Sequence, residues 1–221
     1  MIPDRSPDPG DRRRGDRLDL CLIALAAAYL AYVGLSGVGH EWYASADRVA
    51  EGKVWLLLTS GLNVVVELDA AQWALLAITV AVVIYRLGPR LWWTVALAGH
   101  VGSALVVYAV IEVAVRLGSG SAEATASEAD YGISIVLAAS LGALAASALL
   151  ARERKPAGMD PGDRVALALG LCGLLGMIAV SFGWYDSEHL LGYAIGFFLT
   201  RFLVRRKVWG IGGEGRFERP R

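Results

Sequence analysis

Histidine and cysteine are scarce in this 221-residue chain, and their positions exclude whole classes of chemistry. The three histidines, His40, His100 and His189, lie far apart, so no metal-ligand spacing exists and no metal is expected. The two cysteines, Cys21 and Cys172, each sit inside an apolar run and read as reduced packing residues, not as a disulfide. A phosphate-cradling glycine loop is missing: Gly210–Gly215 is glycine-rich but follows no strand and precedes no helix. No cofactor and no nucleic-acid partner is expected. Net charge is also missing: 21 basic and 21 acidic residues balance. The balance says nothing about partners, because the asymmetry lies between the two ends of the helices.

Apolar residues are abundant. They make up 56% of the chain, against 19% charged. The charges collect in the tails and in short connectors. Apolar runs of about 20 residues between charged connectors describe an all-α membrane protein. Six spans are expected, near 19–39, 70–86, 91–116, 130–151, 163–183 and 188–205. The first apolar run is about twice the length of a usual signal-peptide core, so it reads as an uncleaved span. Residues 1–18 and 206–221 read as disordered tails, the first arginine-rich. The stretch 54–66 is apolar but short and carries Thr59, Ser60 and Asn63, so it is expected to lie in the interface or re-enter shallowly.

Basic residues test the count. Arg12–Arg14 and Arg17, then Arg86 and Arg90, then Arg152, Arg154, Lys155 and Arg164, then Arg201 and Arg205–Lys207, fall on one side of six spans. The connectors on the other side are poor in lysine and arginine. That pattern puts both termini in the cytoplasm, with a bacterial plasma membrane as the expected setting. Trp42, Trp55, Trp184 and Trp209 suit an aromatic belt.

This orientation gives depth. The fourth and sixth spans both start outside, so Ser134 and His189 lie within about one turn of the same surface. A serine and a histidine at matched depth can form a nucleophile and its base. Ser134, Ala138 and Gly142 put small residues on one face of the fourth span, with Ser147 slightly further round. Gly192 and Gly196 share a face of the sixth span with His189, and Tyr193 follows His189 by four. Faces of this kind let membrane helices approach closely. The bland alternative is ordinary packing, with Ser134 bonded to its own backbone and His189 a polar residue of the interface.

These residues resemble the rhomboid intramembrane serine proteases. The resemblance rests on six spans, on Gly132-Ile133-Ser134 opening the fourth, and on His189-x-x-Gly192-x-x-x-Gly196 opening the sixth. Trp55-Leu-Leu-Leu-Thr-Ser-Gly is similar to the end of that family's first connector, and the short Arg86-Leu-Gly connector also fits. The resemblance implies a six-helix rhomboid-like bundle over 19–205 and a Ser134–His189 dyad cleaving other transmembrane proteins near the outer face. Such proteins and the bilayer are then the partners. Three departures stand out. Ile135 replaces the glycine after the serine, Leu56 follows Trp55 where the family has arginine, and the second span lacks the H-x-x-x-N pair that supports the oxyanion. Asn63, Gln72, or backbone N–H groups near Gly132 are the candidate substitutes. A catalytically dead relative that binds transmembrane clients is the alternative.

Other polar residues read more simply. Tyr185 and Tyr193 are both candidates to touch the imidazole. Glu188 is not expected to orient it, because adjacent helical residues point apart. His100, near mid-membrane, reads as a neutral histidine bonding a neighbour, with Gly99, Gly102 and Ser103 allowing close approach. Glu112, Glu67 and Asp69 read as interfacial.

Overall fold

The computed structural model describes residues 9–35, 42–62, 70–155, 158–180 and 183–206. Among them there is no strand; one isolated antiparallel bridge joins Ala44 to Asp130. Six helices of 18 residues or more dominate: α1 (Pro9–Leu35), α4 (Ala70–Leu87), α5 (Pro89–Arg116), α7 (Ile133–Arg154), α8 (Pro161–Val180) and α9 (Asp186–Arg205). Three short ones fill the connectors: α2 (Ala46–Ala50), α3 (Leu56–Thr59) and α6 (Gly120–Ala126).

Four helical stretches are long and apolar enough to cross a membrane: Gly15–Leu35, α5, α7 and Pro161–Ala179. The chain thus has the make-up of a helical membrane protein. Within α4 the apolar part is the shorter Trp73–Leu87. In α9 the apolar middle is bracketed by Asp186 and Glu188 at one end and Arg201 and Arg205 at the other.

Helix α7 is the axis of the bundle. Of its most apolar window 83% is buried, against 11% in α1 and 17% in α8. Its sequence explains this. Ala138, Ala139, Ser140, Gly142, Ala143, Ala145, Ala146, Ser147 and Ala148 are all small and buried. Lipid tails are as apolar as leucine, so helices in a bilayer gain little from hiding apolar surface and associate through close packing instead. Small residues on every side let α4, α5, α8 and α9 all reach α7. One core cluster joins Leu76, Val80, Val83, Leu91, Trp92 and Val95 to Val136, Ala139, Ala143 and Leu144. Trp92 is fully buried and its Nε1 donates to Ser140 Oγ at 3.2 Å.

Several ion pairs gather near one end of α7. Arg201 and Arg205 both grip Glu153, Arg86 pairs with Asp163 and donates to Ser147 Oγ at 3.3 Å, and Arg90 pairs with Asp19 at 2.8 Å. The first residues of α7 lie about 30 Å away along the axis. Helix boundaries fall within a few residues of the expected spans, with one exception. Helix α1 starts at Pro9, so residues 9–18 are helical where the sequence suggested an irregular tail. Proline suits a first helical turn, and Arg90 holds this segment through Gly15 O at 3.1 Å as well as through Asp19. Residues 1–8, 36–41, 63–69, 156–157, 181–182 and 207–221 lie outside the described residues.

The described part of the first connector is made of short pieces. Over 54–62 it forms α3 and a single 3-10 turn at Ser60–Leu62, with Leu56 and Leu57 buried against α5. Val54, Trp55 and Leu58 stay exposed, as does Trp42.

Candidate active site

Two helix starts build the site. Helix α7 is capped by Gly132, which places Ser134 second in the helix with its side chain exposed. Helix α9 starts at Asp186, whose carboxylate accepts from Gly183 N–H at 2.8 Å. Asp186 and Glu188 in the first turn suit the positive end of the helix dipole. His189 follows, half-buried.

His189 Nε2 lies 2.8 Å from Ser134 Oγ. The other ring nitrogen, Nδ1, lies 3.3 Å from the carbonyl oxygen of Asp186. A carbonyl can only accept, so Nδ1 carries the proton in the neutral ring. Nε2 then presents its lone pair to the serine hydroxyl, which is the tautomer a general base needs. The orienting group is a main-chain carbonyl three residues earlier on the same helix.

The two helices come close because glycine lets them. A Cβ built on Gly196 would sit 2.1 Å from Ala139 O, and one on Gly142 would sit 2.1 Å from Tyr193 O. Gly192 is as constrained: its Cβ would meet Ile135 Cγ2 at 2.7 Å. The two small-residue faces read from the sequence therefore pack on each other, backbone to backbone. Tyr193 is buried with Ala138, Leu141 and Ala145. Tyr185 turns away from the imidazole. Its hydroxyl donates to Thr125 O at 2.9 Å, and its ring packs edge-on to Tyr108.

Gly132 is required for a different reason. Its φ of −78° is open to any residue. Space is the constraint: a Cβ there would fall 1.7 Å from His100 Cε1 and 2.1 Å from Nδ1. The His100 ring lies across the start of α7, and only glycine leaves room for it. Gly132 N–H donates to Ser60 O at 3.1 Å, and the bridge between Asp130 and Ala44 adds two more backbone bonds, at 2.8 and 3.1 Å. The segment leading to Ser134 is thus sewn to the first connector at two points.

Beneath the dyad lies an acidic cluster. Tyr108 donates its hydroxyl to Asp130 Oδ2 at 2.5 Å, and the fully buried Glu188 carboxyl sits beside Asp130. Glu188 points inward while His189 points to Ser134, as adjacent residues on a helix must.

Neither side-chain candidate for oxyanion support can be placed at the site. Asn63 lies outside the described residues, and only the backbone of Gln72 is described, within α4. The amides at the start of α7 remain. Ile135 and Val136 N–H both go to Gly132 O, while those of Ile133 and Ser134 have no intrahelical acceptor. Among the described residues no group of three or more His, Cys, Asp or Glu could hold a metal. Glu112 pairs with Arg116 at 2.8 Å and takes no part.

Comparison with protein-family models, with curated proteins and with solved structures finds no match to this chain. The functional reading therefore rests on the geometry.

Three contributors escaped the sequence. The Asp186 carbonyl is main chain and leaves no mark in residue identity. His100 was read as bonding a neighbour, but its partners were not: the ring meets Ser60 and Gly132, 40 and 32 positions away. Asp130 was read as the first residue of the fourth span, and its partner strand, one residue long at Ala44, gives no periodic signal.

Proposed function

We propose that this protein is an intramembrane serine endopeptidase of rhomboid type. In this reading the chain makes six passes through a bacterial plasma membrane with both termini cytoplasmic. The dyad then lies near the outer face, opposite the basic end of the bundle. One observation carries the proposal: Ser134 Oγ sits 2.8 Å from His189 Nε2, with Nδ1 held by a carbonyl.

The chemistry follows from that geometry. Ser134 Oγ attacks a peptide carbonyl as His189 Nε2 takes its proton. The carbonyl π pair moves onto oxygen, and the first-turn amides of α7, reinforced by the positive end of the helix dipole, face the negative charge. Collapse of that adduct breaks the C–N bond. The imidazolium gives its proton to the leaving amine, and an acyl-serine remains. Water then repeats the sequence with His189 as base, releasing the acid and restoring Ser134. No third acidic member is needed, because the Asp186 carbonyl already fixes the tautomer. Water reaches the site because Ser134 is exposed at a helix end.

The substrate is another transmembrane protein, opened near the outer end of its span. A closed helix hides its carbonyls in i→i−4 bonds, so only an unwound stretch presents an attackable one. A second reading has one observation in its favour. The second span holds no histidine to support the oxyanion, and a dead relative would bind such clients without cutting them.

Labelling with a fluorophosphonate, which phosphonylates activated serines, separates the two. The protease reading expects wild type to label and Ser134→Ala not to. Equal labelling of both, or none of wild type, refutes it and favours the client-binding reading.

A further inference from the structure

His100 takes no part in the chemistry above, yet it is tightly built into the site. It is 3% exposed. Its ring is held between two glycines on different segments. On one side a Cβ at Gly61 would come within 3.1 Å of Cδ2 and Nε2. On the other lies Gly132, where no Cβ fits at all. Nε2 is hydrogen-bonded to Ser60 Oγ at 3.2 Å. The carbonyl of the same Ser60 accepts the N–H of Gly132. Among the described residues Nδ1 has no partner. A buried polar atom left without a partner costs on the order of 1–3 kcal/mol, and packing alone would be served better by an apolar ring of the same shape.

We infer that His100 is a positioning residue for the Ser134 nucleophile, setting the first turn of α7 through Ser60 and Gly132. This rests on the protease reading above. The ring spaces the first connector from α7, and its bond to Ser60 aims the carbonyl that holds Gly132 N–H. Gly132 caps the helix, so its placement fixes the direction of the Ser134 hydroxyl and of the two free amides beside it. The first connector thereby governs the geometry of a nucleophile more than 70 residues away. His100 itself stays behind Gly132 and touches no substrate.

The test uses the full-length protein in liposomes and a fluorophosphonate probe, with three readouts: inactivation rate at saturating probe, half-saturating probe concentration, and final labelled fraction. A role in folding alone lowers the labelled fraction and leaves the rate of the folded molecules unchanged. A positioning role lowers the rate. His100→Ala is expected to label roughly 10- to 100-fold more slowly at saturation, as a misplaced nucleophile does, with the half-saturating concentration within about 2-fold of wild type. His100→Gln, whose amide reaches the place of Nε2 and keeps the Ser60 bond, is expected to be faster than His100→Asn, whose amide overlies Nδ1. Gly132→Ala is expected to be slow alone and faster when combined with His100→Ala, which vacates the space its methyl needs. A wild-type rate in His100→Ala overturns the inference. So does His100→Asn matching or exceeding His100→Gln, the deciding comparison if His100→Ala does not fold. No gain in the double variant overturns it as well. Failure of the underlying reading looks different: wild type then labels no faster than Ser134→Ala, and the positioning role falls with it.

Discussion

Replacing Gly196 by alanine puts a single methyl where α7 and α9 touch. The atoms it would meet are backbone: Ala139 O at 2.1 Å, its carbonyl carbon at 2.8 Å and its Cα at 2.9 Å. None of these can rotate away, so the helices must part by roughly 1 Å, and over-packing of this kind costs about 1–3 kcal/mol. His189 lies seven residues before Gly196, about 10 Å along the axis. An opening of that size, carried to the dyad, takes the Ser134–His189 contact from 2.8 Å to beyond hydrogen-bond reach. A reacting pair misplaced by about 1 Å loses roughly 100-fold in rate. Thermal unfolding in detergent and the fluorophosphonate labelling rate measure the two effects on one preparation. Gly176→Ala on α8 is the control, since a Cβ there meets nothing within 4 Å. It is expected to label at the wild-type rate and to unfold no earlier. If Gly196→Ala keeps both the wild-type midpoint and the wild-type rate, the claim that glycine contact sets the dyad distance is wrong.

Two further substitutions probe the supports of the site. Arg86→Ala leaves the buried Asp163 carboxylate unpaired and is expected to cost about 3 kcal/mol, with Asp163→Asn in the same chain recovering most of it in thermal unfolding. It sits at the far end of α7, so the labelling rate of the folded fraction should not change. Tyr108→Phe removes the hydroxyl bonded to Asp130 and is expected to cost about 1–3 kcal/mol. Because Asp130 leads directly to Gly132, the labelling rate should fall with the midpoint; a lowered midpoint at full rate would separate the acidic cluster from the nucleophile.

The extent to which sequence foretold structure differs from element to element. Helices α5 and α7 were legible because a bilayer-length apolar run has no other way to satisfy its backbone. Helix α9 was legible less from hydropathy than from its small residues, since Glu188, His189 and Arg201 dilute its apolar character. The start of α1 was not, because the arginines that suggest a solvated tail are also good helix formers, and Arg90 anchors the segment at Gly15 and Asp19. At the site, the Ser134–His189 contact was expected because six spans would give both residues one depth, and Gly142 and Gly196 let their helices touch. What the pair leans on was hidden. The Asp186 carbonyl is generic backbone. His100 reads as a polar residue in mid-span until the fold brings Ser60 and Gly132 to either side of it. Gly132 itself looked like half of a short motif, and only its contact with His100 shows why no larger residue fits.

The central claim is that Ser134 is a nucleophile activated by His189. Peptide mapping by mass spectrometry after fluorophosphonate treatment tests it most directly, applied to wild type, Ser134→Ala and His189→Ala in liposomes. The account predicts a phosphonyl adduct on Ser134 in wild type, none in Ser134→Ala and almost none in His189→Ala. An adduct on another serine, or full modification of Ser134 without His189, would contradict it.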